Sequence, residues 1–561
     1  MKNLTLYFLV IVFSYPAGAQ SLEEKLNLLQ SSVEKVMVKD IEYDQQLTYK
    51  KSSGYIISIA ISESKRGKVT QYSFNLFDLE KNKIKFDTKK NVAVVEIGTK
   101  SDKKVIKNVV DNKLGSYLNK ITIRASGVEA ARSLHNQLKA VIAEAEKSQP
   151  DFFPKKTDLA ALLSFLEKQV GKVKINDEVF EQSFSFDNDN NVIVTFASSD
   201  VNKSTRKSMT LNFGDVNLRR IDFITRGNKV YVEAETTGKK NLIEHVKNGE
   251  ISGFKNKLSL KANNIEEGRK LAAALVNLKE LADQHQKELF DPNANWENTN
   301  AYLQTNVKKV SRNDDIFEQT ISKHSGQNQQ LVFEISDKNR DKTSRYLFNP
   351  SDLNGAKIDF TTKGTNIVVN CETKGKKSLI QYHENSELGN YKNTFDIYTE
   401  SIEQARALKK ALVRLVQLSN EKNQEFLIKG KKDPEVKESL DYLIQNITDV
   451  SLNDKTYKQS LFYEENKPEL ITLELIEVDK DIKLSYELNL KDLNESKVGF
   501  NTRGREVLVE AEVKGKQDLI KSTKNDEDDK FLDKLSIKAK GIEEARIIVQ
   551  TLRYLVNKLN S

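Results

Sequence analysis

The chain has 561 residues, of which 89 are Lys or Arg and 81 are Asp or Glu, for a formal net charge of +8. The two signs are interspersed, as in Lys524-Asn525-Asp526-Glu527-Asp528-Asp529-Lys530, so the chain lacks the one-sided basic stripe expected of a nucleic-acid binder. Its one cysteine, Cys371, excludes an internal disulfide, and each folded part must hold together by its core alone.

The chain opens as a secretory leader. Lys2 supplies a positive start, Leu4 to Phe13 a short, mostly apolar run, and Ala17-Gly18-Ala19 the small residues that a signal peptidase accepts. The mature chain is expected to begin at Gln20 and to be exported, with the periplasm favoured over the extracellular space. The apolar run is shorter than the roughly 20 residues of a spanning helix, and no later stretch comes close, so no transmembrane segment is expected in the mature chain. No Cys follows the leader, and a lipid anchor is not expected.

Beyond the leader the chain aligns with itself. A first copy runs from about 21 to 147, and offsets of 137, 274 and 414 give three more. Phe86 falls on Phe223, Phe360 and Phe500; Ile84 on Ile221, Ile358 and Val498; Ile106 on Ile243, Ile380 and Ile520. The period far exceeds the roughly 20–50 residues of solenoids, so each copy is expected to be a domain. The boundaries are a leader at 1–19 and domains at 20–147, 157–284, 295–422 and 434–561. Short Pro-bearing linkers separate them, at 148–154, at Asp291-Pro292-Asn293 and at Gly430-Lys431-Lys432-Asp433-Pro434. They predict a semi-rigid rod or arc.

Each copy begins with an amphipathic helix. Leu22, Leu26, Leu29, Val33 and Val36 lie three or four apart in the first copy, and Val436, Leu440, Leu443, Ile447 and Val450 repeat this in the fourth. Trp296 takes the first of these positions in the third copy and reads as a packing residue. The segments 54–62, 69–77, 83–88 and 91–98 are rich in Ile, Val, Tyr and Phe with frequent alternation, and about seven strands are expected per copy. A long closing helix follows, with an apolar face of Val128, Leu134, Leu138 and Val141. It is matched by Ile265, Leu271, Leu275 and Leu278, by Ile402, Leu408, Leu412 and Leu415, and by Ile542, Ile548, Leu552 and Leu555. The fold class is therefore α+β, with four tandem repeats of helix, mainly antiparallel strands and packing helix.

About seven antiparallel strands closed by one long helix resembles the pleckstrin-homology-like superfold, apart from the extra first helix. That resemblance implies a phosphoinositide site in the first hairpin loop. The loop is Lys50-Lys51-Ser52-Ser53-Gly54 in the first copy but Asp187-Asn188-Asp189-Asn190-Asn191 in the second, so phosphoinositide binding is not expected. In its leader and Lys/Asn-rich composition the whole chain also resembles exported repeat proteins of Bacteroidota-type bacteria.

Several polar positions recur in all four copies. Asn-x-x-Asp stands at Asn75/Asp78, Asn212/Asp215, Asn349/Asp352 and Asn489/Asp492; both side chains can fix a turn through nearby backbone amides, and one Asn with one Asp is too few ligands for calcium. An acid followed by aromatic-x-Gln stands at Asp40, Tyr43 and Gln45, at Asp177, Phe180 and Gln182, at Asp314, Phe317 and Gln319, and at Asp454, Tyr457 and Gln459. Here the aromatic is expected in the core and the Gln on backbone groups. Glu-x-x-Arg opens the closing helix at Glu129/Arg132, Glu266/Arg269, Glu403/Arg406 and Glu543/Arg546. An exposed i,i+3 pair contributes only about 0.2–0.5 kcal/mol, so the Arg is expected to have a further partner, such as a carbonyl or carboxylate of the same domain; the alternatives are a solvated pair and an anion- or protein-binding Arg. Basic glycine turns at Gly238, Gly375 and Gly515 suit a positive φ, with Lys100-Ser101-Asp102 in their place in the first copy.

Nothing marks a catalytic or metal site. His135, His245, His285, His324 and His383 share no aligned position, and Cys371 aligns with Ile97, Ala234 and Ala511. No cofactor or metal is expected. The leading expectation is a non-enzymatic binding or scaffold protein of the cell envelope. It would use its domains multivalently on a protein or other envelope component, and not on nucleic acid. The alternatives are an enzyme or enzyme subunit with its site at a domain junction, and a mechanical spacer.

Overall fold

The computed structural model describes residues 21–51, 54–89, 91–148, 151–153, 158–187, 189–190, 192–325, 329–422, 428–452 and 455–561. The leader and Gln20, Ser52, Ser53, Gln149, Pro150, Pro154, Asn188, Asn191 and Asp454 lie outside the described residues.

In the first copy, helix α1 (Leu22–Ser31) leads into β1 (Val36–Val38), β2 (Ile41–Lys51), β3 (Tyr55–Glu63), β4 (Val69–Asn75), β5 (Leu79–Lys89), β6 (Val92–Thr99), β7 (Lys107–Val110), β8 (Lys113–Leu114) and β9 (Lys120–Ala125), and helix α2 (Val128–Ala145) closes it. Six strands form one sheet in the order β1-β2-β3-β4-β7-β8, and three form another in the order β5-β6-β9. This six-plus-three set recurs along the chain, its six-stranded sheets beginning at Val36, Val173, Val310 and Val450. The later helices are α3 (Leu159–Gln169), α4 (Ile265–Gln284), α5 (Trp296–Asn306), α6 (Ile402–Lys422), α7 (Val436–Asn446) and α8 (Ile542–Asn560). The chain is α+β with antiparallel sheets.

Each set has nine strands, not about seven. The two shortest in the first copy, β1 and β8, have three and two residues, too few to show an alternating pattern. The first helix is also shorter than its apolar spacing predicts. It starts at a capping box, where the Glu24 amide donates to Ser21 Oγ (3.2 Å) and the Ser21 amide to Glu24 Oε2 (2.9 Å). It ends at Ser31, where the Ser31 and Ser32 hydroxyls both donate to the Leu28 carbonyl. Val33 and Val36 are buried, but from the loop and from β1. Ile447 and Val450 lie beyond α7 in the same way.

Leu134, Leu138 and Val141 of α2 pack with Ile84, Val95 and Ile123 of the three-stranded sheet and with Leu26 and Leu29 of α1. The chain divides into two compact units, residues 1–250 with 254–286, and residues 287–561 with 251–253. Each is described by itself below. Among the described residues no helix is long and apolar enough to cross a membrane.

The recurring Gln ties the two sheets of one copy together. Gln45 Nε2 donates to the carbonyls of Glu34 (3.1 Å) and Arg124 (2.9 Å), and its Oε1 accepts from the Arg124 amide (2.9 Å). Gln182 does the same with Gly171 and Lys261, Gln319 with Lys308 and Tyr398, and Gln459 with Thr448 and Lys538. The amide thus acts as one more peptide unit on the edge of the three-stranded sheet. Replacing Gln319 with Ala should cost about 1–3 kcal/mol in chemical denaturation, because it leaves buried backbone groups without partners. Replacing it with Glu should not restore the loss, since a carboxylate cannot donate to the two carbonyls.

Beside each Gln, the aromatic residue is covered by the strand that the Gln holds. Arg124 lies 3.7 Å from the Tyr43 ring, Lys261 Nζ 4.0 Å from Phe180 and Lys538 Nζ 4.1 Å from Tyr457, while Tyr398 stacks on Phe317 at 3.8 Å. Asp40 is exposed and pairs with Lys65.

Candidate functional site: the junction between consecutive copies

Two of the recurring motifs meet each other. In copies two to four the Asn of Asn-x-x-Asp caps a tight turn, its Oδ1 accepting the amide two residues on: Gly214 (2.8 Å) for Asn212, Ser351 (3.0 Å) for Asn349 and Lys491 (2.9 Å) for Asn489. The Asp carboxylate at Asp78 and Asp352 serves a different purpose. It turns toward the closing helix of the next copy, where the Glu-x-x-Arg motif waits.

In the first unit Arg269 Nη2 donates to both carboxylate oxygens of Asp78 (2.9 and 2.8 Å), and Asn75 Nδ2 donates to Glu266 Oε1 (3.4 Å). In the second unit Arg546 Nη2 donates to both oxygens of Asp352 (2.8 and 2.9 Å), and Asn349 Nδ2 to Glu543 Oε1 (3.1 Å). The motif's own pair is looser, at 3.8 Å between Arg269 Nε and Glu266 and 3.3 Å between Arg546 Nε and Glu543. The further partner of the Arg is therefore a carboxylate of the preceding copy, and not one of the same domain as the sequence suggested. Helical spacing reports only what an Arg can reach on its own helix.

The clasp is buried. The Arg269 and Asp78 side chains are 12% and 10% exposed, and the guanidinium lies 4.8, 5.0 and 4.9 Å from the rings of Phe77, Phe152 and Phe223. Phe152 belongs to the stretch read as a linker. Its neighbour Phe153 packs against Phe165 of α3 with ring centroids 4.7 Å apart, so that stretch forms part of the junction. Burial pushes the Asp78 and Asp352 carboxyls above the usual carboxylate range, and the attraction of Arg269 and Arg546 offsets only part of it. Burial likewise raises Glu266. It works against the charge of Arg546 too, but there Asp352 and Glu543 more than compensate. Each pair is held at a desolvation cost.

Further contacts repeat at both junctions. The Tyr117 amide donates to the Gly227 carbonyl (2.9 Å), and the aligned Tyr391 amide to Gly504 (3.0 Å). Thr225 Oγ1 donates to the Lys104 carbonyl (2.6 Å), and Thr502 Oγ1 to Ser378 (2.9 Å). Gly227 and Gly504 sit at φ +60° and +61°, where a side chain would be strained. Val105 and Tyr117 enter the core of the second copy, and Tyr391, with Leu379 beside it, enters the core of the fourth. Beside each clasp lies a cleft of about 380 Å³ at Asn75, Asp78, Tyr117 and Glu266, and of about 360 Å³ at Asn349, Asp352, Leu379 and Glu543.

No family model, no curated protein and no solved structure matches this chain. The reading of its chemistry therefore stands on its own geometry.

The four remaining half-motifs are placed as follows. Glu129 and Arg132 pair with each other on an exposed helix face, with Arg132 5.8 Å from the Phe86 ring. Asp215 ends the turn that Asn212 caps. Arg406 Nε lies 3.4 Å from the buried Glu403, and its guanidinium 5.7 Å from Phe360. Asn489 caps its turn, and Asp492 makes no ion pair among the described residues. The basic turns have φ +65°, +62° and +65° at Gly238, Gly375 and Gly515, and Ser101 takes φ +53° in their place in the first copy.

Among the described residues no three His, Cys, Asp or Glu side chains are grouped to hold a metal ion. Cys371 is fully buried, which pushes its thiol pKa up and disfavours the thiolate. Sequence reasoning missed the aromatic inserted across the junction within each unit, Tyr117 in the first and Tyr391 in the second. The signal was present, since Tyr117, Phe254, Tyr391 and Phe531 align as an aromatic in every copy.

Proposed function

We propose that the chain is a non-catalytic scaffold or binding protein, exported to the cell envelope, with the periplasm favoured, that presents four similar domains to a protein or other envelope component. One observation carries this reading. Of the polar side chains that recur in every copy, Asp78 with Arg269 and Asp352 with Arg546 join one copy to the next within each unit, and the Gln joins the two sheets of one copy, so a structural role accounts for their recurrence. What differs between copies is the charge of the loops, Lys50-Lys51 in the first against Asp187 and Asp189 in the second. The finer view of each set as a pleckstrin-homology-like domain with added strands belongs to the same proposal and rests on antiparallel sheets closed by one long helix.

Linked weak sites gain affinity through effective concentration. The tagged chain lacking residues 1–19, used to capture partners from envelope extract, should retain a partner that residues 20–286 or 287–561 alone hold more weakly. Equal retention by either half and the whole would overturn the multivalent reading, and recovery of nothing would favour a mechanical spacer. The twin junction clefts favour a second reading, a small-molecule site between copies. It predicts that Glu266→Gln and Glu543→Gln both abolish a ligand-induced rise in melting temperature.

A further inference from the structure

The clasp that joins the two copies of each unit has unmatched halves among the described residues: Glu129/Arg132 of the first copy and Asn489/Asp492 of the fourth meet no half of another copy. The apolar positions that accompany the clasp tell the same story. At the junction of the first unit Phe223 and Ile265 are each 7% exposed, Val105 is 5% and Tyr117 2%, and at that of the second Ile542 and Tyr391 are each 6% exposed. Their aligned equivalents on the first copy, Phe86 and Val128, are 37% and 44% exposed, and those on the fourth, Leu519 and Phe531, are 45% and 59%. Thr88 stands on the first copy where Thr225 and Thr502 donate across the internal junctions. Scattered exposed apolar residues are ordinary on a protein surface. These four are not scattered, because each occupies a position that contacts the neighbouring copy at an internal junction.

We propose that the chain associates with itself head to tail, the Asn489/Asp492 end of one molecule docking on the Glu129/Arg132 end of the next. The two surfaces are complementary in charge, Asp492 against Arg132, and in apolar content, Leu519 and Phe531 against Phe86 and Val128. The occupant is a second copy of this chain because the chain itself carries the matching half, in the pairing it already uses twice. Such an interface is heterologous. One end binds the other, neither end binds itself, and copies add one after another into a ring or an open series. The inference does not depend on what the scaffold carries.

Sedimentation velocity on the chain lacking residues 1–19 tests it. The average mass should rise with concentration into the hundreds of micromolar, and added salt should weaken the rise. Arg132→Asp blocks the head and Phe531→Glu blocks the tail. Each variant alone should stay monomeric and melt as the parent does, since both side chains are exposed. Mixed in equal amounts, the two should form a dimer and go no further, because one intact head meets one intact tail. A parent monomeric at every concentration would overturn the proposal. So would growth that survives either substitution, or a mixture that stays monomeric.

Discussion

Arg269→Ala should destabilise the first unit by about 3–5 kcal/mol, the cost of leaving a buried carboxylate without its counter-ion. Asp78 is 9% exposed, and Arg269 supplies both of its carboxylate hydrogen bonds. Burial already holds Asp78 above the normal carboxylate range, so without Arg269 the group must be buried charged and unpaired or take up a proton. The double variant Asp78→Leu with Arg269→Met should recover most of the loss, since it removes the charge together with its partner and keeps apolar volume beside Phe77, Phe152 and Phe223. Chemical denaturation of the parent, Asp78→Leu, Arg269→Met and the double variant gives the cycle, with a coupling of at least about 1 kcal/mol expected for residues in direct contact. Additive single and double effects would mean that the pair carries no junction energy.

The second large effect is expected at the inserted tyrosine. Tyr117 is 2% exposed and sits in the core of the second copy, and burial pushes its phenol pKa up to about 12. Tyr117→Ala should cost about 3–5 kcal/mol, the range for deleting a buried aromatic ring. Its backbone bond to Gly227 survives the substitution in principle, so the loss reports the ring. Tyr391→Ala should behave alike in the second unit, where the ring is 6% exposed in the core of the fourth copy. The aligned Phe531→Ala should shift stability by no more than about 0.5 kcal/mol, as surface substitutions do. A large loss at Phe531 in dilute, monomeric protein would show that the aromatic serves its own copy.

Much of one copy could be read along the chain, because its signals are local. The closing helix declares itself through Leu134, Leu138 and Val141 at helical spacing, and long strands such as β2 and β3 through their β-branched and aromatic content. Elements of two or three residues left no periodic trace, and the apolar spacing that runs on through Val33 and Val36 hid the end of helix α1 at Ser31. The junction was half legible. Recurrence singled out Asp78 and Arg269 as constrained. Their meeting depends on how two copies dock, and the two residues are 191 positions apart, so spacing within a copy could not pair them. For the same reason the helix arithmetic for Arg269 reached only Glu266, its weaker partner at 3.8 Å. Phe152 and Phe153 looked like linker because neighbouring prolines suggested a stiff spacer, whereas their rings supply part of the contact.

The most direct test compares one residue type at aligned positions that differ only in having a preceding copy to hold within their own unit. Arg132, Arg269 and Arg546 occupy the same place in the Glu-x-x-Arg motif, and only the last two reach a carboxylate of the copy before. Each is changed to Ala in the chain lacking residues 1–19, and equilibrium unfolding is measured in dilute solution. If the motif is a clasp between copies, Arg269→Ala and Arg546→Ala should each lower stability by about 3–5 kcal/mol, while Arg132→Ala should change it by no more than about 0.5 kcal/mol. Three equal losses would place the role of the Arg within its own domain and contradict the account.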